Sequence, residues 1–137
     1  MSIEENKAIS RRSYEEIYHK RNIDIIDELY DQNIIAHTNL GEIRGLEAGK
    51  QLASALLNAF EGLKFTVEDQ IGEGDKVVNR GMITGNHTGE YMGIAPTGKA
   101  ISVPYIGIHV IANGKILEGW GFVDNLSLLQ QIGAISL

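Results

Sequence analysis

Residues 105–124 read YIGIHVIANGKILEGWGFVD. Asn113-Gly114 is a dipeptide that two-residue hairpin turns favour, because both positions there take positive φ. Apolar residues alternate on either side of it, so the stretch reads as two antiparallel strands closed by a tight turn. With Asn113 and Gly114 as the turn, Ala112 sits opposite Lys115. Counting back pairs His109 with Glu118, Gly107 with Trp120, Tyr105 with Phe122 and Val103 with Asp124. Side chains alternate along a strand, so these eight share one face. The other face carries Ile106, Ile108, Val110, Leu117 and Val123. Both faces are largely apolar, so both are expected to be covered. The first face adds three ionisable groups, His109, Glu118 and Asp124. A few polar groups on an apolar wall are the composition of a ligand site.

Upstream, the periodicity is first helical and then strand-like. Ser2 with Glu5 reads as a capping box. Ile9, Tyr14, Ile17 and Tyr18 then mark an amphipathic helix to about residue 19. Asp24 is placed to cap a short second helix through Ile25, Ile26, Leu29 and Tyr30. An extended piece follows at 34–38. A third helix is predicted over 46–60, with Gly49, Leu52, Ala53, Leu56, Ala59 and Phe60 at helical spacing. Leu63, Phe65 and Val67 then alternate with polar residues, as in a half-buried strand. Gly74-Asp75 marks a turn into a strand at 76–84, and Pro96-Thr97-Gly98 marks another. After the hairpin, Leu126, Leu129 and Ile132 predict a closing helix with Gly133 at its C-terminal cap. Helices followed by an antiparallel meander predict a single α+β domain over 1–137, its helices on one face of a curved sheet. The concavity between the two layers is a common ligand site.

Composition narrows the function. The 137 residues are 43% hydrophobic, enough for a real core, and include no cysteine. Disulfides, thiolate metal sites and a cysteine nucleophile are therefore excluded. The formal net charge is −6 and the basic residues are scattered, so nucleic acid is not an expected partner. The polar start, Met1 to Lys7, lacks the apolar core of a signal peptide, and no stretch approaches a membrane span. No membrane partner is expected, and the cytoplasm is the expected compartment. The glycine-rich stretch at 85–98 lacks the Lys-Ser/Thr ending of a phosphate loop. It reads as a flap at the mouth of the concavity.

That stretch also carries a family likeness. GNHTGEYMGIAPTGK at 85–99 resembles a matching run in the SnoaL-like polyketide cyclases. So do Asn113-Gly114-Lys115-Ile116, Trp120, Asp124 and the LLQQIG run at 128–133, together with the Tyr-rich first helix and the piece at 34–37. The likeness covers nearly the whole chain. It implies a nuclear transport factor-like cone, a curved sheet wrapped by helices around a deep pocket, usually as a homodimer. It also implies an intramolecular aldol ring closure on an ester-activated or polycyclic carbonyl compound. The last-strand aspartate of those enzymes matches Asp124, the acid/base. The assisting histidine of the preceding strand is matched by His109.

Such chemistry needs a base for a proton between carbonyl groups and a donor for the attacked carbonyl oxygen. It needs no metal and no cofactor when the substrate delocalises the carbanion. A dry setting beside Trp120 and Phe122 would raise the pKa of Asp124 and suit it to that work. His109 would serve the oxyanion, with Glu118 orienting it. Each residue also has a structural reading. Asp124 precedes a helix and suits its N-cap, unless Asn125 takes that place. His109 and Glu118 suit a cross-strand polar pair. His37 either points into the pocket, where the family has a histidine, or satisfies backbone in a bend. His87, among turn residues, suits a structural or gating role. Tyr14 and Tyr18, one helical turn apart, suit the pocket wall with Tyr105. Arg80 alone does not supply the two acids and arginine of a limonene-type epoxide hydrolase. Tyr105 and Asp124 share a face, but the chain order that a ketosteroid isomerase needs is not apparent. The rival from another class is a non-catalytic binding module using the same pocket.

Overall fold

The computed structural model describes residues 1–136. The elements in order are α1 (Ile3–Tyr14), a π-helical turn (Glu15–His19), α2 (Ile25–Leu29), β1 (Tyr30–Thr38), β2 (Gly41–Arg44) and α3 (Leu46–Ala59). These are followed by β3 (Phe60–Glu73), β4 (Lys76–His87), β5 (Ala100–Ala112), β6 (Lys115–Val123) and α4 (Asn125–Gln131). The capping box is present: Ser2 Oγ accepts from Glu5 N–H, and the Glu5 carboxylate accepts from Ser2 N–H. Asp24 holds the N-cap position of α2 but makes no side-chain cap bond, since its own backbone is already helical.

One curved sheet runs in the order β2-β1-β6-β5-β4-β3. Four of its five pairings are antiparallel, while β1 lies parallel to β6. The expected meander is therefore the β3-β4-β5-β6 portion of a mixed sheet. The piece at 34–38 is the end of a nine-residue strand, and β2 folds back on it. Local periodicity could not show the parallel pairing, because the partners lie some eighty residues apart.

The helices cover the concave face. α3 faces β1 and β3, while α1 crosses β3 and β4. The buried apolar residues form three groups around a central hollow. One, under α4, includes Phe60, Val103, Tyr105 and Ile132. A second joins Ile17, Ile26 and Leu29 to Ala53. A third, at the hairpin end, holds Ile34, Val77, Ile111 and Ile116. In α4, Leu128 is buried and Leu126 exposed. Among the described residues, no helix is long and apolar enough to cross a membrane.

Candidate active site

The hollow between helices and sheet is a cavity of about 200 Å³. One water needs only about 10–15 Å³ by such a measure, so there is room for a small organic molecule. α1 and the π-turn supply Tyr14, Ile17 and Tyr18 to its wall, and α3 supplies Leu52, Ala53 and Leu56. The sheet supplies Ala36, Phe65, Tyr105, His109, Gly119 and Gly121. Among the described residues, no Asp, Glu, Lys or Arg lines it. The aromatic wall is continuous. Tyr18 stacks on Phe65 at 4.1 Å, Phe65 on Tyr14 at 5.6 Å, and Tyr14 on the His109 ring at 5.5 Å. Burial pushes the Tyr14, Tyr18, Tyr30 and Tyr105 hydroxyls above the usual tyrosine range, so at neutral pH they stay protonated.

The hairpin turn lies where it was expected, with Asn113 at φ 51° and Gly114 at φ 77°, and Ala112 opposite Lys115. The register beyond it differs. Ile111 pairs with Ile116 but Val110 pairs with Glu118, leaving Leu117 as an extra residue, a β-bulge. A one-residue slip moves every later side chain of β6 to the other face. Gly119, Gly121 and Val123 therefore share the face of His109, Gly107 and Tyr105. Glu118, Trp120 and Phe122 turn to the convex face, correcting the one-face cluster expected from strict alternation. Trp120 and Phe122 still border the cavity, and the Trp120 ring stacks on His37. Both also edge a convex-face hollow with Lys76, Ile106 and Ile108.

His109 is the one histidine among the described residues that line the cavity, and it is 8% exposed. Burial pulls its pKa down to about 4, so at pH 7 the ring is neutral. Its Nδ1 lies 2.6 Å from Ser10 Oγ on α1. The opposite edge of the ring lies over Gly119. A Cβ at that position would come within 3.3 Å of His109 Cδ2 and 3.9 Å of Nε2. Gly107 likewise admits the Tyr14 hydroxyl, which a Cβ would strike. Gly119 thus leaves room at the edge of the His109 ring, and Gly107 leaves room for Tyr14.

The other expected residues are dispersed. His37 sits opposite Trp120 in the β1–β6 pair and stacks on its ring at 5.1 Å. His37 Nε2 contacts the Glu118 carboxylate at 2.8 Å and Nδ1 faces Glu42 at 3.6 Å. It belongs to the convex face, correcting the expectation that it points into the pocket. The neighbours Ala36 and Thr38 take the inner positions. Asp124 is exposed and caps α4, accepting from Ser127 N–H at 3.0 Å. It is absent from the cavity lining and follows Val123, which does line it. Asn125 instead accepts from the Tyr91 hydroxyl at 2.8 Å. His87 is fully buried, with Nδ1 accepting the Thr97 N–H at 3.2 Å and its ring tilted against Phe60. It pins the 88–98 segment rather than lining the cavity. From that segment Tyr91 does reach the cavity wall. Arg80 pairs with Glu68 and Asp69 at 3.7 and 3.8 Å, all exposed and away from the cavity.

Ser10 and Asn79 escaped the reading of the sequence. Their signal was present: Asn6, Ser10 and Ser13 share the face of α1 that holds Tyr14 and Ile17, and Asn79 sits mid-strand. Polar residues at core positions need partners, and such partners tend to form networks.

Several known proteins share this architecture. The family model for SnoaL-like polyketide cyclases matches residues 8–132. No curated protein matches the chain. A candidate SnoaL-like polyketide cyclase from Jannaschia sp. CCS1 superposes with a TM-score of 0.90 at 24% identity, over 99% of this chain and 97% of that one. A candidate polyketide cyclase from Bacillus cereus ATCC 10987 gives 0.81 at 29% identity, over 96% and 83%. AclR, a candidate hydroxylase from Streptomyces galilaeus, gives 0.87 at 25% identity, over 99% and 85%. With the family model spanning nearly its whole length, this chain belongs to the family of SnoaL-like polyketide cyclases.

Proposed function

We propose that the chain closes a ring in, or isomerises, a small and largely apolar carbonyl compound held in the cavity, with His109 meeting the carbonyl oxygen. The observation that carries this reading is a neutral, buried His109 set in an aromatic wall with no charged side chain. In such a dry setting, one polar contact to an oxygen that gains charge is worth more than in water. In the ring closure, a base takes the proton from a carbon between two carbonyls. The resulting carbanion forms a carbon–carbon bond to a second carbonyl carbon, and that carbonyl oxygen takes up a proton. Asp124 is the base in this reading. Its cap bond to Ser127 N–H must first open, at a cost of about 1 kcal/mol. A homodimer through the convex face belongs to the same reading, since Ile106 and Phe122 stand 53% and 47% exposed there.

The second reading is a binding protein without turnover. It is favoured by the cap bond of Asp124 and by the lack of any carboxylate in the cavity lining. The fold does not choose between reactions, and AclR is named for a different one. The test is ring closure of an anthracycline-type ester precursor by the native protein, Asp124→Asn and His109→Phe. Turnover that falls about 10²–10⁴-fold in folded Asp124→Asn supports the acid/base role. Binding without turnover in all three supports the second reading. Turnover unchanged in both variants rejects the assignment of residues.

A further inference from the structure

A chain of hydrogen bonds runs from the backbone of α1 to His109, half-buried at Gln70 and buried from Asn79 through Ser10 to the ring, and each link has a fixed direction. Its far end is the Lys7 carbonyl, which can only accept. Gln70 Nε2 lies 2.9 Å from that oxygen and 2.8 Å from Asn79 Oδ1. Arg11 Nη2, which can only donate, lies 3.4 Å from Gln70 Oε1. The Gln70 amide is therefore oriented from both sides. Asn79, fully buried, must then turn its NH₂ toward Ser10, and its Nδ2 lies 2.8 Å from Ser10 Oγ. Ser10 is also fully buried. Among the described residues, the one acceptor within reach of its hydroxyl proton is His109 Nδ1, at 2.6 Å. A proton on Nδ1 would leave the Ser10 O–H buried without a partner, which is costly. The proton of the neutral ring accordingly resides on Nε2, the nitrogen on the Gly119 edge of the ring.

We propose that Ser10, backed by Asn79 and Gln70, is a positioning residue that holds His109 as its Nε2–H tautomer. The cavity then presents a hydrogen-bond donor rather than a base. This selects ligands that offer an acceptor, such as a ketone, quinone or ester carbonyl, at that point. It also removes His109 from consideration as the group that abstracts a proton. The functional meaning rests on the reading of His109 as the ligand's polar contact, but the tautomer itself is independent of any ligand.

The test is a long-range ¹H–¹⁵N correlation spectrum of the ¹⁵N-histidine-labelled full chain at neutral pH, without ligand, with His109 assigned by its loss in His109→Gln. The native spectrum is expected to show His109 Nε2 in the protonated range and Nδ1 in the unprotonated range. Ser10→Ala is expected to lose that single pattern, with both shifts moving toward the averaged range, while Ser10→Thr restores it. Asn79→Asp gives a sharper readout. An aspartate accepts the Ser10 proton, Ser10 Oγ then accepts from the ring, and the proton moves to Nδ1. A native spectrum with the proton on Nδ1 overturns the proposal, as does a native pattern left unchanged in folded Ser10→Ala or Asn79→Asp. A native spectrum with the proton on Nε2 in a protein that turns nothing over keeps this inference and counts against the proposed reaction. Turnover by a protein with the proton on Nδ1 does the reverse.

Discussion

Gly119 stands opposite His109 across the β5–β6 pair, one place along from the Glu118 that strict alternation puts there. The Leu117 bulge makes that exchange. A histidine facing a carboxylate would be drawn toward a charged pair; facing a glycine, it borders open space and stays neutral. Gly119 has negative φ, so a methyl group is tolerated by the backbone and falls 3.3 Å from His109 Cδ2. Gly119→Ala is expected to fold and to weaken binding of a small aromatic ketone about tenfold, roughly 1.4 kcal/mol, by crowding that edge. Calorimetric titration of both proteins measures it, and equal affinities would place the ligand elsewhere.

Burial also makes His109 a pH-dependent element of stability. Its pKa is about 4 in the folded chain, against about 6.5 unfolded. Between those values the unfolded chain takes a proton that the native ring refuses. The contribution is complete above about pH 6.5 and is lost as pH falls toward 4, up to about 3 kcal/mol. Urea unfolding at about pH 7 and pH 4.5 should therefore show a larger acid loss in the native protein than in His109→Gln, by about 2–3 kcal/mol. Equal losses would mean that the ring is charged or open to water in the folded chain.

The Tyr14 hydroxyl occupies the place that a side chain at residue 107 would take. Gly107→Ala should push that ring out of line and cost about 1–3 kcal/mol of stability. Gly121→Ala is the control. It also lies on the cavity face, but nothing stands within 4 Å of its would-be Cβ. Thermal unfolding of the pair should separate them, and equal midpoints would argue against the Tyr14 placement.

Much of this was legible in the sequence, and the reasons for the rest are physical. Short-range signals translated directly: Ser2 and Glu5 cap α1, and Asn113-Gly114 closes the hairpin. The bulge left no trace, because both hairpin faces are apolar and a slip at Leu117 changes no pattern. Everything counted past it, Trp120 and Phe122 included, took the wrong face. The β1–β6 pairing is non-local, so the face of His37 depended on a neighbour that its own segment does not reveal. Ser10 and Asn79 meet only in three dimensions, standing 69 positions apart in the chain.

The convex face offers Ile106, Ile108, Trp120 and Phe122 as an apolar surface. A homodimer through it should dissociate when Phe122→Glu places a charge there. Sedimentation at micromolar concentration is expected to give a dimer for the native chain and a monomer for the variant. A native monomer, or a variant that stays dimeric, would remove that face from the assembly.

The claim that His109 is the ligand's polar contact is tested most directly with two probes of one shape. The ketone 1-tetralone offers a carbonyl oxygen, and the hydrocarbon tetralin does not. Both are titrated into the native protein and into His109→Phe. The affinity ratio of ketone to hydrocarbon is expected to fall about tenfold in the variant, as for the loss of one hydrogen bond in a dry site. A ratio unchanged by the substitution would show that the carbonyl does not meet His109.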